Sequence, residues 1–443
     1  SVTVSGKIGF YKNNYQITNP TYLSKNEDIV EKIHSKYKLT EGINEKYYNK
    51  IVEQILKNLP MISEWHDKKV LKKFNNEDWN SAILKLHDPK NIGNFQSDFY
   101  RRLAFDEILA SLLISSEIRK KIKKIKKESK HFDDKKNNEI QNKIKFDLTK
   151  DQKNALNQIN LDLKSKNKMF RLLQGDVGSG KTIVSLISAL NVIKSGYQVA
   201  LMAPTEILSR QHYNLAKKLF PSNIHIDILS GKTDYREKSK IYKNLKDNKI
   251  KMIFGTHSLF QKKVNFLNLG FIIIDEQHKF GVKQRKNLSD KGGKNCDILL
   301  MSATPIPRTL IMSVYGDMDV SIIKEKPKNR KDVITYSKLE NKIDDVIKFV
   351  KKQIKEGNQI FWVCPLIEES KKVDHESAIK KFKFLNNIFP NSVSILHGNV
   401  EKNEKEKILN NFLKKKFSIL VSTTIIEVGI DFPNANVIII ENA

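Results

Sequence analysis

Cysteine is nearly absent. The 443-residue sequence has two, Cys296 and Cys364. They are far apart and lack the paired spacing of a zinc site or disulfide framework, so both classes drop out and a reducing compartment fits. No uninterrupted apolar stretch approaches the roughly 20 residues that cross a bilayer. No leader is visible either, and because the chain opens at Ser1 rather than Met, the expectation is a missing N-terminus. Short-period repeats are also lacking. Negative charge is scarce: 50 Asp and Glu stand against 79 Lys and Arg, for a net charge of +29. A field of that size draws polyanions, nucleic acid first, although an AT-rich coding sequence would also yield this Lys, Asn and Ile content. Hydrophobic residues are lean at 39% yet recur in runs, so the chain is globular and long enough for several domains.

What is present centres on LLQGDVGSGKT, Leu172 to Thr182. It fits the phosphate-loop pattern with Gly175, Gly180, Lys181 and Thr182 in place, Gly178 lying inside the loop. An apolar run (Met169 to Leu173) leads in and a helix-compatible run (Ile183 to Ile193) leads out, the context that separates a phosphate loop from a glycine-rich turn. Loop N–H groups and a helix N-terminus favour a phosphate. Lys181 is positioned for the β- and γ-phosphates and Thr182 for Mg²⁺.

The chain reads in three stages. Residues 1–23 alternate at Val2, Val4, Ile8 and Phe10, then turn at Lys12-Asn13-Asn14 before Tyr15 and Ile17, the pattern of short strands. From Asn44 to Lys127 the spacing is helical. Pro60 ends one segment, and another runs from Ser97 into the basic stretch IRKKIKKIKKESK, expected to be a solvated helix end. From Phe146 strands and helices alternate, as in a doubly wound α/β domain. Strands are expected at Phe170–Leu173, Val199–Ala203, Ile224–Leu229, Met252–Gly255, Phe271–Ile274 and Ile298–Met301. A second series follows at Val333–Tyr336, Ile360–Cys364, Val393–Leu396, Ser418–Val421 and Val437–Ile440.

Further chemistry falls at strand ends, where parallel sheets bind ligands. Phe271 to Ile274 end in Asp275-Glu276-Gln277-His278. Asp275 suits a water-linked Mg²⁺ and Glu276 suits orienting and deprotonating the attacking water. Ser302-Ala303-Thr304 follows another strand and could link Glu276 to domain movement. Gln152 could pair with an adenine edge beside a helix cap at Thr149, although the cap alone explains Thr149. Pro204-Thr205, Thr256-His257-Ser258, His397-Gly398 and Thr423-Thr424 suit sugar–phosphate contacts, which position without reading sequence. Glu427, Gly429 and Asp431 could face the nucleotide across a cleft.

Together these motifs resemble superfamily 2 helicases, and within them the RecG family of DNA translocases that remodel branched DNA. The resemblance is carried by LLQGDVGSGKT, IIIDEQHKFGVKQR (Ile272 to Arg285), MSATPIPRTL (Met301 to Leu310) and TTIIEVGIDFPNA (Thr423 to Ala435). The DEQH box separates RecG from the transcription–repair coupling factor (DEEQ) and the primosomal helicase (DEEH), whereas SATPIPRTL is shared with the coupling factor. GKIGFYKNNYQITNPTY resembles the end of the family's OB-fold wedge, with Phe10, Tyr11 and Tyr15 as stacking candidates, and FYRRLAFDEILA (Phe99 to Ala110) resembles its helical linker.

The resemblance implies an α/β protein: two tandem RecA-like P-loop NTPase domains preceded by a partial OB-fold β-barrel and a helical linker. The implied segments are a wedge over 1–42, linker over 43–145, and RecA-like domains over 146–325 and 326–443. The implied cofactors are ATP and Mg²⁺, the latter held by Thr182 and Asp275. Catalysis falls to Lys181, Asp275, Glu276 and His278, and coupling to Gln277, Ser302 and Thr304. The nucleotide would rest on Gln152, Gly175, Gly178, Gly180, Lys181, Thr182, Glu427, Gly429 and Asp431. Branched double-stranded DNA (forks and Holliday junctions) is the implied partner. A single-stranded-DNA-binding protein is a further candidate, with a monomer, a cytoplasmic, nucleoid-associated location and no membrane. The family's arginine-bearing motif VI lies beyond Ala443, and Arg308 and Arg330 sit in other motifs, so impaired hydrolysis is expected of this chain. Alternatives are a coupling-factor-like translocase, a non-catalytic fragment that binds nucleotide and DNA, and a small-molecule kinase or transport ATPase.

Overall fold

The computed structural model describes residues 2–441 except 12–13, 19, 21, 27–34, 92–94, 134–139, 141–142, 145, 232, 277–290, 292, 304–317, 326–332, 365–370, 398–399 and 424–431. At 11, 22, 46, 115, 118, 122–123, 260, 340, 371–377 and 402–403 only the backbone is described. The chain falls into two units, Ser1–Ser115 and Ser116–Ala443.

In the first unit β1 (Thr3–Ser5) pairs antiparallel with β4 (Tyr22–Ser24), and β2 (Gly9–Tyr11) with β3 (Asn14–Gln16). The β2–β3 ladder sets Phe10 opposite Tyr15 with ring centroids 5.1 Å apart, the hairpin that the alternation predicts. Helices follow: α1 (Glu45–Lys57), α2 (Lys68–Leu71), α3 (Trp79–His87) and α4 (Asp98–Lys124). Arg102 of α4 is fully buried, forks onto both Glu64 oxygens at 2.9 and 3.0 Å, and pairs with Asp106. A buried guanidinium needs such partners.

In the second unit α5 (Lys150–Lys164) is opened by a capping box between Thr149 and Gln152. Next come β5 (Phe170–Gly175), α6 (Lys181–Lys194), β6 (Gln198–Met202), α7 (Glu206–Leu219), β7 (Ile226–Leu229), α8 (Tyr235–Lys246), β8 (Met252–Gly255), β9 (Leu269–Ile274), β10 (Asp297–Ser302) and β11 (Asp319–Ile323). These seven strands form one parallel sheet in the order β11-β5-β10-β9-β6-β8-β7. Apolar runs such as LGFIII suit strands covered on both faces. Successive residues divide between two cores: Leu173 and Ile273 pack on one face with α5 and α6, Leu172 and Ile272 on the other with α8.

A second series, α9 (Ile343–Lys355), β12 (Gln359–Val363), α10 (Lys371–Ile388), β13 (Val393–Leu396), α11 (Lys402–Leu413), β14 (Ile419–Ser422) and β15 (Ala435–Ile440), builds a parallel sheet ordered β13-β14-β12-β15. Among the described residues no helix is long and apolar enough to cross a membrane.

Three expectations change. β11 joins the first sheet unannounced, pairing with β5. Val333–Tyr336 forms no strand: Val333, Ile334 and Tyr336 are all exposed, so β-branched propensity there finds no ladder to join. The basic stretch is not simply solvated. Beyond α4, Lys127 and Lys130 are buried and each reaches Asp297 Oδ2 at 2.6 Å, while Asp297 Oδ1 accepts the Met169 amide at 2.7 Å. Lys127 also donates to the carbonyls of Asp162 and Leu163, which caps the end of α5.

Candidate nucleotide site and its neighbouring loops

The phosphate-loop stretch takes the form its residues dictate. β5 delivers Gly175 to the carboxyl edge of the sheet and α6 starts at Lys181. Gly180 has φ of 87°, and a Cβ there would lie 2.3 Å from Gln152 Nε2, so both conformation and space call for glycine. Gly178 is left-handed too. Gln152 donates from Nε2 to the Ser179 carbonyl at 2.8 Å and accepts the Thr149 amide at 2.9 Å, which fastens α5 to the loop. Lys181 is buried and donates to the carbonyls of Gly175 at 2.7 Å and Asp176 at 3.0 Å. Burial pulls its pKa down, against the opposing pull of Asp275, Glu276 and Asp176. Thr182 follows, half-buried in the first turn of α6.

Strand order decides which loops meet. β10 lies between β5 and β9, with Ser302 beside Gln174 and Leu300 beside Ile274. β9 hands Asp275 and Glu276 to the same edge, and both are buried. Glu276 has φ of 49°, a left-handed conformation that costs a side-chain-bearing residue about 1–2 kcal/mol. Strain of this kind is common at sites. Its Oε2 accepts from the Ala303 amide at 3.5 Å, and Ser302, also buried, closes β10. Asp275 accepts the Glu276 amide on Oδ1 at 3.1 Å and faces His212 Nε2 across 2.8 Å on Oδ2.

On the far side of β9 stands β6, followed by Pro204 and Thr205. Thr205 caps α7, its hydroxyl accepting the Leu208 amide at 3.4 Å. β8 lies next, tied to that loop by the Ala203 amide on the Gly255 carbonyl at 2.9 Å. Thr256, His257 and Ser258 follow it, with the Ser258 hydroxyl donating to Leu229 at 2.9 Å. The nucleotide candidates at β5, β10 and β9 and the backbone-contact candidates at β6 and β8 thus share one edge. In the second sheet His397 follows β13 and the buried Thr423 follows β14, which are neighbours. Gln277, His278, Thr304, Gly398, Thr424, Glu427, Gly429 and Asp431 lie outside the described residues.

Two residues escaped sequence reading. His212 sits on the buried face of an amphipathic helix, where a histidine looks like core, and only the fold brings it to Asp275. Asp297 opens a strand whose apolar run drew attention to its other end. The two residues expected to hold a metal, Asp275 and Thr182, offer hard oxygens, a carboxylate and a hydroxyl, and among the described residues no group of three or more His, Cys, Asp or Glu forms a metal cluster. That set fits Mg²⁺, which keeps most of its waters and takes one or two protein ligands besides phosphate.

The DEAD/DEAH box helicase family matches residues 149–312, and the helicase conserved C-terminal domain matches 341–443. An ATP-dependent DNA helicase RecG from Thermotoga maritima is 40% identical over 445 residues, covering 100% of this chain and 57% of the relative. Its counterpart from Aquifex aeolicus is 40% identical over 460 residues, covering 100% and 58%. A solved structure of RecG bound to a three-way DNA junction superposes with a TM-score of 0.73 at 36% identity, covering 99% of this chain and 58% of that one. The DEAD-box helicase Mss116, at 22% identity, TM-score 0.51 and coverage of 70% and 68%, shares the fold.

Two parallel α/β sheets in tandem, the first carrying a phosphate loop beside an Asp-Glu pair, define the RecA-like domains of a superfamily 2 helicase. The chain spans somewhat over half the length of the RecG helicases it matches. Along its whole length it is similar to the RecG helicases.

Proposed function

We propose that this chain carries the motor of an ATP-dependent double-stranded DNA translocase that remodels branched DNA, reversing stalled forks and migrating junctions. The observation that supports this most is the single carboxyl edge, on which Asp275 adjoins the phosphate loop through β10 and the Pro204-Thr205 loop through β6. In this reading Gly175, Gly178 and Gly180 present backbone N–H groups to the phosphates and Lys181 neutralises their charge. Gln152 meets the adenine while holding the loop. Thr182 and Asp275 would hold Mg²⁺, which supplies charge stabilisation on the phosphates when bound. Glu276 orients and deprotonates the attacking water, with His278 beside it, and Gln277, Ser302 and Thr304 relay the result. Pro204, Thr205, Thr256, His257, Ser258, His397, Gly398, Thr423 and Thr424 grip the sugar–phosphate backbone, and Glu427, Gly429 and Asp431 face the nucleotide from the second domain.

The remaining assignments rest on the family likeness. Residues 1–42 are read as part of an OB-fold wedge, 43–145 as the helical linker, and 146–325 and 326–443 as the two motor domains. A monomer acting on forks and Holliday junctions in the cytoplasm, at the nucleoid and with a single-stranded-DNA-binding protein as partner, completes the reading. The test is ATP hydrolysis with forked, linear and no DNA, by this chain and by the chain extended to its relatives' length. Fork-stimulated turnover that Lys181→Ala and Glu276→Gln each abolish is expected. Turnover indifferent to DNA, or retained in either variant, overturns the reading; RNA polymerase binding without fork preference would favour a coupling factor.

A further inference from the structure

α7 touches two sites at once. Its cap, Thr205, belongs to the loop read as a DNA contact, and its buried Ile207 and Leu208 share an apolar cluster with Leu409 and Phe412 of α11 and Leu420 of β14. Seven residues past the cap, roughly 10 Å along the axis, His212 meets Asp275 at 2.8 Å with both side chains nine-tenths buried. A carboxylate only accepts, so Nε2 donates. The other carboxylate oxygen takes the Glu276 amide. Asp275 is therefore oriented from two directions, by its own strand end and by the helix that starts at the DNA loop. A hydrogen-bonded partner of this kind fixes where a metal-facing carboxylate points.

We propose that His212 is a positioning residue that couples duplex binding at the Pro204-Thr205 loop to nucleotide binding at the phosphate loop. The rigid α7 carries displacement of its capped end to the imidazole, and the hydrogen bond passes it to Asp275. Such coupling is reciprocal: nucleotide must change DNA affinity by the factor that DNA changes nucleotide affinity. The inference rests on the site reading above, and its test separates the two.

The experiment measures duplex DNA affinity by fluorescence anisotropy, with and without a non-hydrolysable ATP analogue and Mg²⁺. Analogue affinity is measured with and without DNA, in wild type, His212→Leu, His212→Gln and Lys181→Ala. A wild-type coupling factor on the order of 5–150 is expected, falling towards one in His212→Leu while each ligand's affinity alone shifts less than about threefold. His212→Gln, which keeps a donor at similar reach, should restore most of the factor, a rescue that a purely space-filling role would not show. Should His212→Leu fail to fold, His212→Met removes the donor with an unbranched side chain and is read the same way. A factor of one in wild type, a factor unchanged in His212→Leu, or a Gln variant as uncoupled as Leu overturns the proposal. Analogue binding that survives in Lys181→Ala overturns the site reading instead.

Discussion

The two ends of the seven-stranded sheet carry similar charges to opposite effect. At the amino end Lys127 and Lys130 close on Asp297, whose remaining oxygen takes a backbone amide, and burial lowers the Lys127 pKa. At the carboxyl end Lys181 is buried too, with its pKa lowered for the same first reason, and it faces Asp275 and Glu276. The difference lies in what surrounds the charges. Asp297 is gripped on both oxygens by groups that hold the chain in place. The carboxyl end instead gathers left-handed Gly178, Gly180 and Glu276 around its lysine. Closed satisfaction marks a staple. Glycine-lined, strained polarity marks a place for a ligand.

That contrast can be broken at either end. Glu276→Gln should lower DNA-stimulated hydrolysis by roughly 10²–10⁴-fold, with nucleotide affinity and unfolding midpoint nearly unchanged, as steady-state kinetics and urea melts would register. Asp297→Asn should do the reverse. It leaves two buried ammonium groups without their carboxylate and should cost about 3–5 kcal/mol in urea unfolding. Replacing Lys127, Lys130 and Asp297 together by apolar residues should recover most of that loss, since buried ion clusters add little over good packing.

Gly180→Ala should cost about 1–2 kcal/mol from its left-handed backbone and weaken nucleotide binding further by pushing on Gln152. Calorimetry on the folded variant would measure both. A subtler difference is in pH. Nucleotide affinity needs charged Lys181, so it should be complete below that group's lowered pKa and decline as pH rises through it, before the ordinary 10.5. Lys127 acts on stability with the opposite sign. Between its lowered pKa and 10.5 the unfolded chain binds more protons, so its burial penalty fades and its contribution to stability rises with pH. The smallest signal is thiol chemistry. Burial pushes Cys296 and Cys364 up to about 12, so neither should alkylate in the native protein, while Asp297→Asn should let Cys296 react first.

Much of this was legible in the sequence, for physical reasons. Fully buried parallel strands leave unbroken apolar runs, which is why β8 falls where the residues indicate. A phosphate loop needs its glycines at fixed steps. Contacts between distant positions leave no such trace. His212 lies 63 positions from Asp275 and Lys127 lies 170 from Asp297. A lysine in a basic run looks solvated until the fold supplies a buried carboxylate. β11, with only DVSII, reads as too polar for a core strand, yet it sits at the sheet's edge beside β5. Val333–Tyr336 errs the other way, rich in strand formers but without a neighbour.

One strand touches both ends. β10 begins at Asp297, under the two lysines, and finishes at Ser302, one residue short of the amide that reaches Glu276. It works as a tie rod about 17 Å long, clamped along its sides by the parallel ladders to β5 and β9. Tension arriving along the chain at Lys127 and Lys130 would load that rod lengthwise, shearing both ladders at once. The anchored end and the Glu276 contact are thus carried by one strand.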